Sequence, residues 1–151
     1  MTHLFDPDEF WSFSNQIYSR AGVKECCLTL QNRYGVDVNL LLLCCWVDRR
    51  QLVIAEATLR ELEELSESWQ TGQLNPLRAA RSQLAKGSTP YRVALKHELD
   101  TEKKEQRALI YLLNQPQALD REHPFFKSFN CIAYGTTKSF PLDQFFTFTS
   151  P

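Results

Sequence analysis

The sequence predicts an all-α fold, a single-domain helical bundle around one buried central helix at about residues 37–47. Three observations carry this expectation. Past Asn39 that stretch reads Leu40-Leu41-Leu42-Leu43-Cys44-Cys45-Trp46-Val47, and a helix apolar all round must be surrounded by other helices. Apolar residues in most other segments recur at three- and four-residue spacing, the mark of one-sided helices. Turn residues punctuate these segments at Gly22, Gly35 and Gly87-Ser88-Thr89-Pro90.

The first helix opens at Asp6, with Pro7 suited to the first helical position and Glu9 at capping-box spacing. Phe10, Phe13 and Ile17 form its apolar stripe up to about Arg20. Gly22 breaks the chain, and a second helix runs over about 23–34 with Val23, Cys27, Leu30 and Tyr34 on one face. Gly35 is a good C-terminal stop. Asp37 then caps the central helix, and its charge suits the positive end of the helix dipole. A parallel strand is the competing reading of an apolar run, but Leu-richness and the cap argue against it. Asn39 at the helix entrance is expected to satisfy nearby backbone groups, with Gln31 as a candidate partner.

A strongly amphipathic helix follows over about 55–70, with Leu59, Leu62, Leu65 and Trp69 inside and glutamates outside. Asn75-Pro76 looks like a cap and first position for a helix over 77–86, with Leu77, Ala80 and Leu84 facing in. Two helices, or one helix kinked at Pro76, both fit this stretch. After the turn at 87–90 a long helix should span about 91–113, with Leu95, Leu99, Gln106, Leu109 and Leu113 along one face. Beyond Pro116 the pattern weakens. A short helix over 124–134 fits Phe125, Phe129 and Ile132, and residues 135–151 read as a less regular aromatic tail.

The 151 residues suit one domain with a real core. No repeat, low-complexity tract or linker divides them. A formal net charge of −1 gives no global attraction to nucleic acid or anionic membrane. No apolar stretch reaches the roughly 18 residues of a membrane span. The start, MTHLFDPDEF, lacks the basic residues and apolar run of a signal peptide. Cys26, Cys27, Cys44, Cys45 and Cys131 make a poor disulfide framework, so reduced, buried thiols in a bacterial-type cytosol are expected.

No motif for catalysis, metal or cofactor stands out. The adjacent cysteine pairs lack metal-ligand spacing, because successive helical residues point about 100° apart. His3, His97 and His123 sit far apart. There is no Gly-rich phosphate loop and no G-x-S-x-G, with only five glycines in the chain. The expectation is a protein that is not an enzyme.

The charge layout says more. Between Pro76 and His97 lie Arg78, Arg81, Lys86, Arg92 and Lys96 with no acid among them, whereas Glu56, Glu61, Glu63, Glu64 and Glu67 crowd the preceding helix. Glu98 and Glu102, one turn apart, repel each other by a few tenths of a kcal/mol unless paired. Arg78 and Arg81 can meet them across the turn, which predicts an inter-helix ion-pair network of these four. Lys86, Arg92, Lys96, Lys103, Lys104 and Arg107 then remain as candidate phosphate contacts. Phe140, Phe145, Phe146 and Phe148 in the tail are candidate oligomer or partner contacts, since so apolar a tail is unsuited to water.

The run Gly35-Val36-Asp37-Val38-Asn39-Leu40-Leu41-Leu42, together with Gly22-Val23, Cys27-Leu28, Leu30-Gln31 and Trp46, resembles an uncharacterised family of small proteobacterial proteins. Trp69, Pro76-Leu77-Arg78, Arg81, Glu98-Leu99, Glu102 and Gln106 extend the resemblance, which covers roughly residues 10–110. The chain also resembles TsrA-like regulators of type VI secretion and virulence genes. That likeness implies a transcriptional silencer of the nucleoid-associated kind, acting through DNA or a nucleoid-associated protein. The residue-level alternatives are a protein-interaction module without nucleic acid and a small enzyme or ligand binder. A homodimer is expected, with no cofactor and no membrane.

Overall fold

Burial of one apolar rod sets the architecture of the computed structural model, which describes residues 4–150. Helix α1 spans Pro7–Tyr18, α2 Val23–Tyr34 and α3 Val38–Arg49. Helix α4 spans Glu56–Trp69, α5 Asn75–Ser82, α6 Thr89–Leu113, α7 Phe129–Lys138 and α8 Asp143–Thr149. The fold is all-α. Among the described residues the sole β-type pairing is an isolated antiparallel bridge between Ile54 and Leu119.

Helix α3 buries every residue from Leu40 to Val47. Asp37 caps it by accepting the Asn39 N–H at 2.9 Å. Around the rod pack α1, α2, α4, α6 and α7. Trp46 anchors the α1 side, stacked on Phe10 at 5.2 Å with the Arg50 guanidinium 4.3 Å from its ring. Arg50 also pairs with Glu9 at 3.2 Å, so Glu9 spans to α3 and Asp6 alone caps α1, accepting the Asp8 N–H at 2.8 Å. In α2, Cys26 joins Val23, Cys27 and Leu30 inside, while Tyr34 lies at the surface.

The stretch around Pro76 is neither of the two forms expected. Helix α4 runs without a break into a π-helical turn, Gln70–Leu74, and on into α5. The Asn75 N–H reaches back to Gln70 O. The wider turn comes just before Pro76, which has no N–H to give to the helix behind it. Helix α5 buries no residue: Leu77 is half-buried and Ala80 exposed, and the helix ends at Ser82, short of the expected 86, so that the half-buried Leu84 lies beyond it.

Helix α6 begins at Ser88, whose hydroxyl accepts the Tyr91 N–H at 3.2 Å. Its C-terminal half buries Gln106, Leu109, Ile110 and Leu113 as the periodicity suggests. The N-terminal half departs from expectation, with Leu99 46% exposed and Glu98 6%. This half meets α5, which offers arginines, so the inward positions go to acids.

Residues after Pro116 are more regular than expected. Helix α7 starts later than the 124–134 reading, because Asp48 holds its first turn, accepting the N–H groups of Asn130 at 2.7 Å and Cys131 at 3.1 Å. The tail contains α8, which packs on α2. Gly22 (φ +86°) permits the approach, since a Cβ there would lie 2.5 Å from the Phe148 ring.

Candidate functional site

Two polar layers run along the inner face of α6. The first joins α5 to α6, where the structure brings Arg78, Arg81, Glu98 and Glu102 together. Arg81 Nε lies 2.5 Å from Glu98 Oε2, Arg78 Nε 3.5 Å from Glu98 Oε1, and Arg78 Nη2 3.2 Å from Glu102 Oε1. Arg81 also donates to the Tyr91 hydroxyl at 3.2 Å. The Glu98 side chain is only 8% exposed, so its charge is sustained by the two guanidiniums beside it. Burial pushes the Glu102 carboxyl above its usual range, opposed by Arg78. This hairpin is held by ion pairs where most helix pairs use an apolar seam.

The second layer lies deeper. Glu105 is fully buried, and its Oε1 accepts from Asn39 Nδ2 at 2.7 Å and Gln70 Nε2 at 3.3 Å. Its Oε2 receives no donor, which suits a protonated carboxyl whose own O–H donates to Asp37. Burial first, then the Asp37 charge and the hydrogen bond with Asp37, push Glu105 up to about 11. Asp37 is the acceptor of the set, taking the Ser66 hydroxyl as well as its capping N–H. Its own N–H donates to the buried Tyr134 hydroxyl at 3.1 Å.

Gln106 Nε2 bridges Ser14 Oγ at 3.0 Å and Asn39 Oδ1 at 2.9 Å. Asn39 therefore serves side chains of α6, and not the backbone groups or Gln31 expected from sequence. The π turn matters here, because Gln70 at its start links the two layers by accepting from Arg78 at 2.7 Å. Single π turns often mark functional positions. Sequence reasoning missed Glu105, Gln70, Ser66 and Tyr134; the one available signal was polar Gln106 on a predicted inward face. With Asp37 2% exposed and Glu105 fully buried, no dissolved substrate reaches this layer. It ties together five helices, α1, α3, α4, α6 and α7.

The candidate phosphate contacts lie on the outer side. Arg92, Lys96, Lys103 and Arg107 follow spacings of four, seven and four residues along α6, which places them on one helix face. Lys96 pairs with Asp100 at 3.1 Å and Arg107 with Asp8 at 3.4 Å. Lys103 sits over the Trp11 ring at 5.6 Å, and Arg92 donates to Gly87 O at 2.9 Å. Lys104 is turned away from this face, and Lys86 lies exposed in the preceding turn. The six do not form one cluster: four make a stripe and two stand apart.

The tail phenylalanines are mostly used within the chain. Phe140 is 6% exposed and Phe145 1%, with Phe140 packed edge-on against Tyr134. Both join the core that α3 nucleates, so neither is available to a partner. Phe146 is half-buried, and Phe148 covers Gly22. All five cysteines are free and buried. His97 and His123 are exposed, and His3 lies outside the described residues. Among the described residues no three His, Cys, Asp or Glu side chains converge as a metal site would need. Nor is any helix among them long and apolar enough to cross a membrane.

Residues 9–109 match the model of a family described as a protein of unknown function (DUF2390), and the chain belongs to that family. The matched region takes in the α6 stripe and both polar layers except Tyr134; α7 and α8 lie outside it. No curated protein and no solved structure matches the chain.

Proposed function

We propose that the protein is a non-catalytic regulator of gene expression, a silencer of the nucleoid-associated kind. In this reading it acts as a homodimer, laying the outer face of α6 on the phosphates of duplex DNA, directly or beside a nucleoid-associated protein. The observation that carries the reading is the stripe of Arg92, Lys96, Lys103 and Arg107 along one helix face, exposed at Arg92, Lys96 and Arg107 and half-buried at Lys103. At about 1.5 Å per residue the stripe is about 22 Å long, enough to follow several phosphates. Its ion pairs with Asp8 and Asp100 are exposed, and such pairs are worth about 1 kcal/mol or less. Phosphates can replace them. The resemblance to regulators of type VI secretion genes directs the reading toward silencing.

Binding of this kind is sequence-tolerant and steep in salt. Four phosphate contacts give a slope of roughly −3.6 in log affinity against log salt, about two orders of magnitude between roughly 50 and 200 mM. The test is a duplex titration at both salt concentrations, with Lys103→Glu/Arg107→Glu as comparison. The double reversal should abolish most binding and about halve the slope of what remains. Equal affinity of parent and double variant, or no binding at low salt, would refute the reading.

A protein-interaction module is the second reading. It draws on Leu95 and Leu99, which are 37% and 46% exposed beside the stripe. Loss of self-association in Leu99→Asp, with DNA binding absent in the parent, would favour it.

A further inference from the structure

The chain beyond the matched family region closes on the C-terminal end of α3 and leaves an open cleft of about 920 Å³. Ligand pockets commonly hold roughly 300–1,000 Å³. Phe125, Phe126, Ile132 and Phe146 wall the cleft, and Phe126 is 51% and Ile132 39% exposed. Arg49 and Lys127 bring two cations to the lining. The Arg49 guanidinium is held in place by Thr149 O and by the Phe13 ring, 5.3 Å away. With five donors in its fork, it has hydrogen-bonding capacity left over. Lys127 is exposed and has no ion-pair partner among the described residues.

The lining also contains one carboxylate, Asp48. Both of its oxygens already accept backbone N–H groups, at 2.7 Å from Asn130 and 3.1 Å from Cys131. Its charge is thus directed at the start of α7, and the cleft keeps a net positive character. Two lining residues, Gln51 (φ 57°) and Ser128 (φ 64°), hold left-handed backbone without being glycine. Such conformations are strained, and they cluster at ligand sites.

We propose that this cleft binds a small amphipathic anion, an aromatic or medium-chain acyl carboxylate. Its apolar body lies among Phe126, Ile132 and Phe146, and its carboxylate between Arg49 and Lys127. A bare inorganic anion would leave the apolar wall in water. A neutral hydrophobe would leave the two cations unanswered. Neither matches the lining as an amphipathic acid does.

The experiment is isothermal titration of the full chain with decanoate and with 2-naphthoate, alongside decanol and acetate. At least one of the two acids should bind saturably at one site, with decanol and acetate weaker by roughly tenfold or more. Lys127→Glu should weaken that acid by about tenfold and leave thermal stability unchanged, since Lys127 is exposed. Ile132→Asp should weaken it too. Cys45, buried at the cleft wall, supplies a second readout: alkylation by N-ethylmaleimide, mapped by peptide, should slow when the acid is bound. Absence of saturable binding of both acids up to about 1 mM would overturn the proposal. So would decanol binding as well as decanoate, or affinity indifferent to Lys127→Glu.

Discussion

Replacing Glu105 with glutamine should remove a large part of the pH dependence of stability. In the native chain Glu105 holds its proton up to about 11, against an ordinary 4.5 for a carboxyl in the unfolded chain. Between those values the folded state keeps a proton that the unfolded state has released, so stability falls as pH rises. One proton corresponds to about 1.4 kcal/mol per pH unit. From pH 5 to pH 8 the parent should therefore lose up to about 4 kcal/mol on account of this residue. In Glu105→Gln the amide oxygen would keep the acceptor for Asn39 and Gln70, and the amide N–H would take the place of the acid O–H facing Asp37.

The variant should match the parent within about 1 kcal/mol at pH 5 and exceed it by about 3 kcal/mol at pH 8. Urea unfolding followed by far-ultraviolet circular dichroism, at several pH values from 5 to 8, measures this directly. Burial also raises Glu102 and Asp48, but they contribute a slope of the same sign to both proteins and cancel in the difference. Parallel stability curves for parent and variant would refute a protonated Glu105.

Four further outcomes test the packing. Glu98→Gln should cost about 2–3 kcal/mol, because two guanidiniums lose their buried counter-charge, and amide exchange should quicken in α5 and the first turns of α6. Arg78→Glu and Glu98→Arg should each destabilise, and their combination should recover only in part, since Arg81 also contacts Glu98. Gly22→Ala should cost about 2 kcal/mol in thermal unfolding from the left-handed backbone and the Phe148 clash; adding Phe148→Ala should relieve only the clash. Asp48→Ala should strip the acceptor from two N–H groups at the start of α7, costing about 2 kcal/mol with faster exchange at Asn130 and Cys131.

How much of this is legible in the sequence depends on whether a feature leaves a repeated mark. The α3 rod does, because burial on all sides is written at eight consecutive positions. The hairpin ion pairs do as well: like charges one turn apart on α6 and arginines three apart on α5 face each other across a plain turn. Glu105 does not, since a buried protonated acid has the same letter as a solvated one. Its inward position follows from the wide contact face of α6, which periodicity alone does not fix. Leu95 and Leu99 mislead for the opposite reason, continuing an apolar period past the point where α1 stops covering it. The π turn spans five residues, too few to register as a change of period. Helix α8 is hidden by Pro141 and by aromatics on both of its faces. The α6 stripe is written in the four-, seven- and four-residue spacing of Arg92, Lys96, Lys103 and Arg107; what the sequence does not show is that Lys103 packs on Trp11.

The π turn also fixes the rotational phase of everything that follows it. Relative to an uninterrupted α-helix, it contributes one additional residue between Trp69 and Asn75, and one residue corresponds to about 100° of rotation. Forcing the same residues into ordinary α-helix would turn α5 by about 100° and sweep Arg78 and Arg81 off Glu98 and Glu102. Deleting Gly72, whose side is open to solvent with nothing within 4 Å of a Cβ there, would instead remove the additional residue and the extra width of the turn together, leaving α5 close to its present phase. The wide turn is thus what lets a helix with one residue too many keep both polar layers aligned.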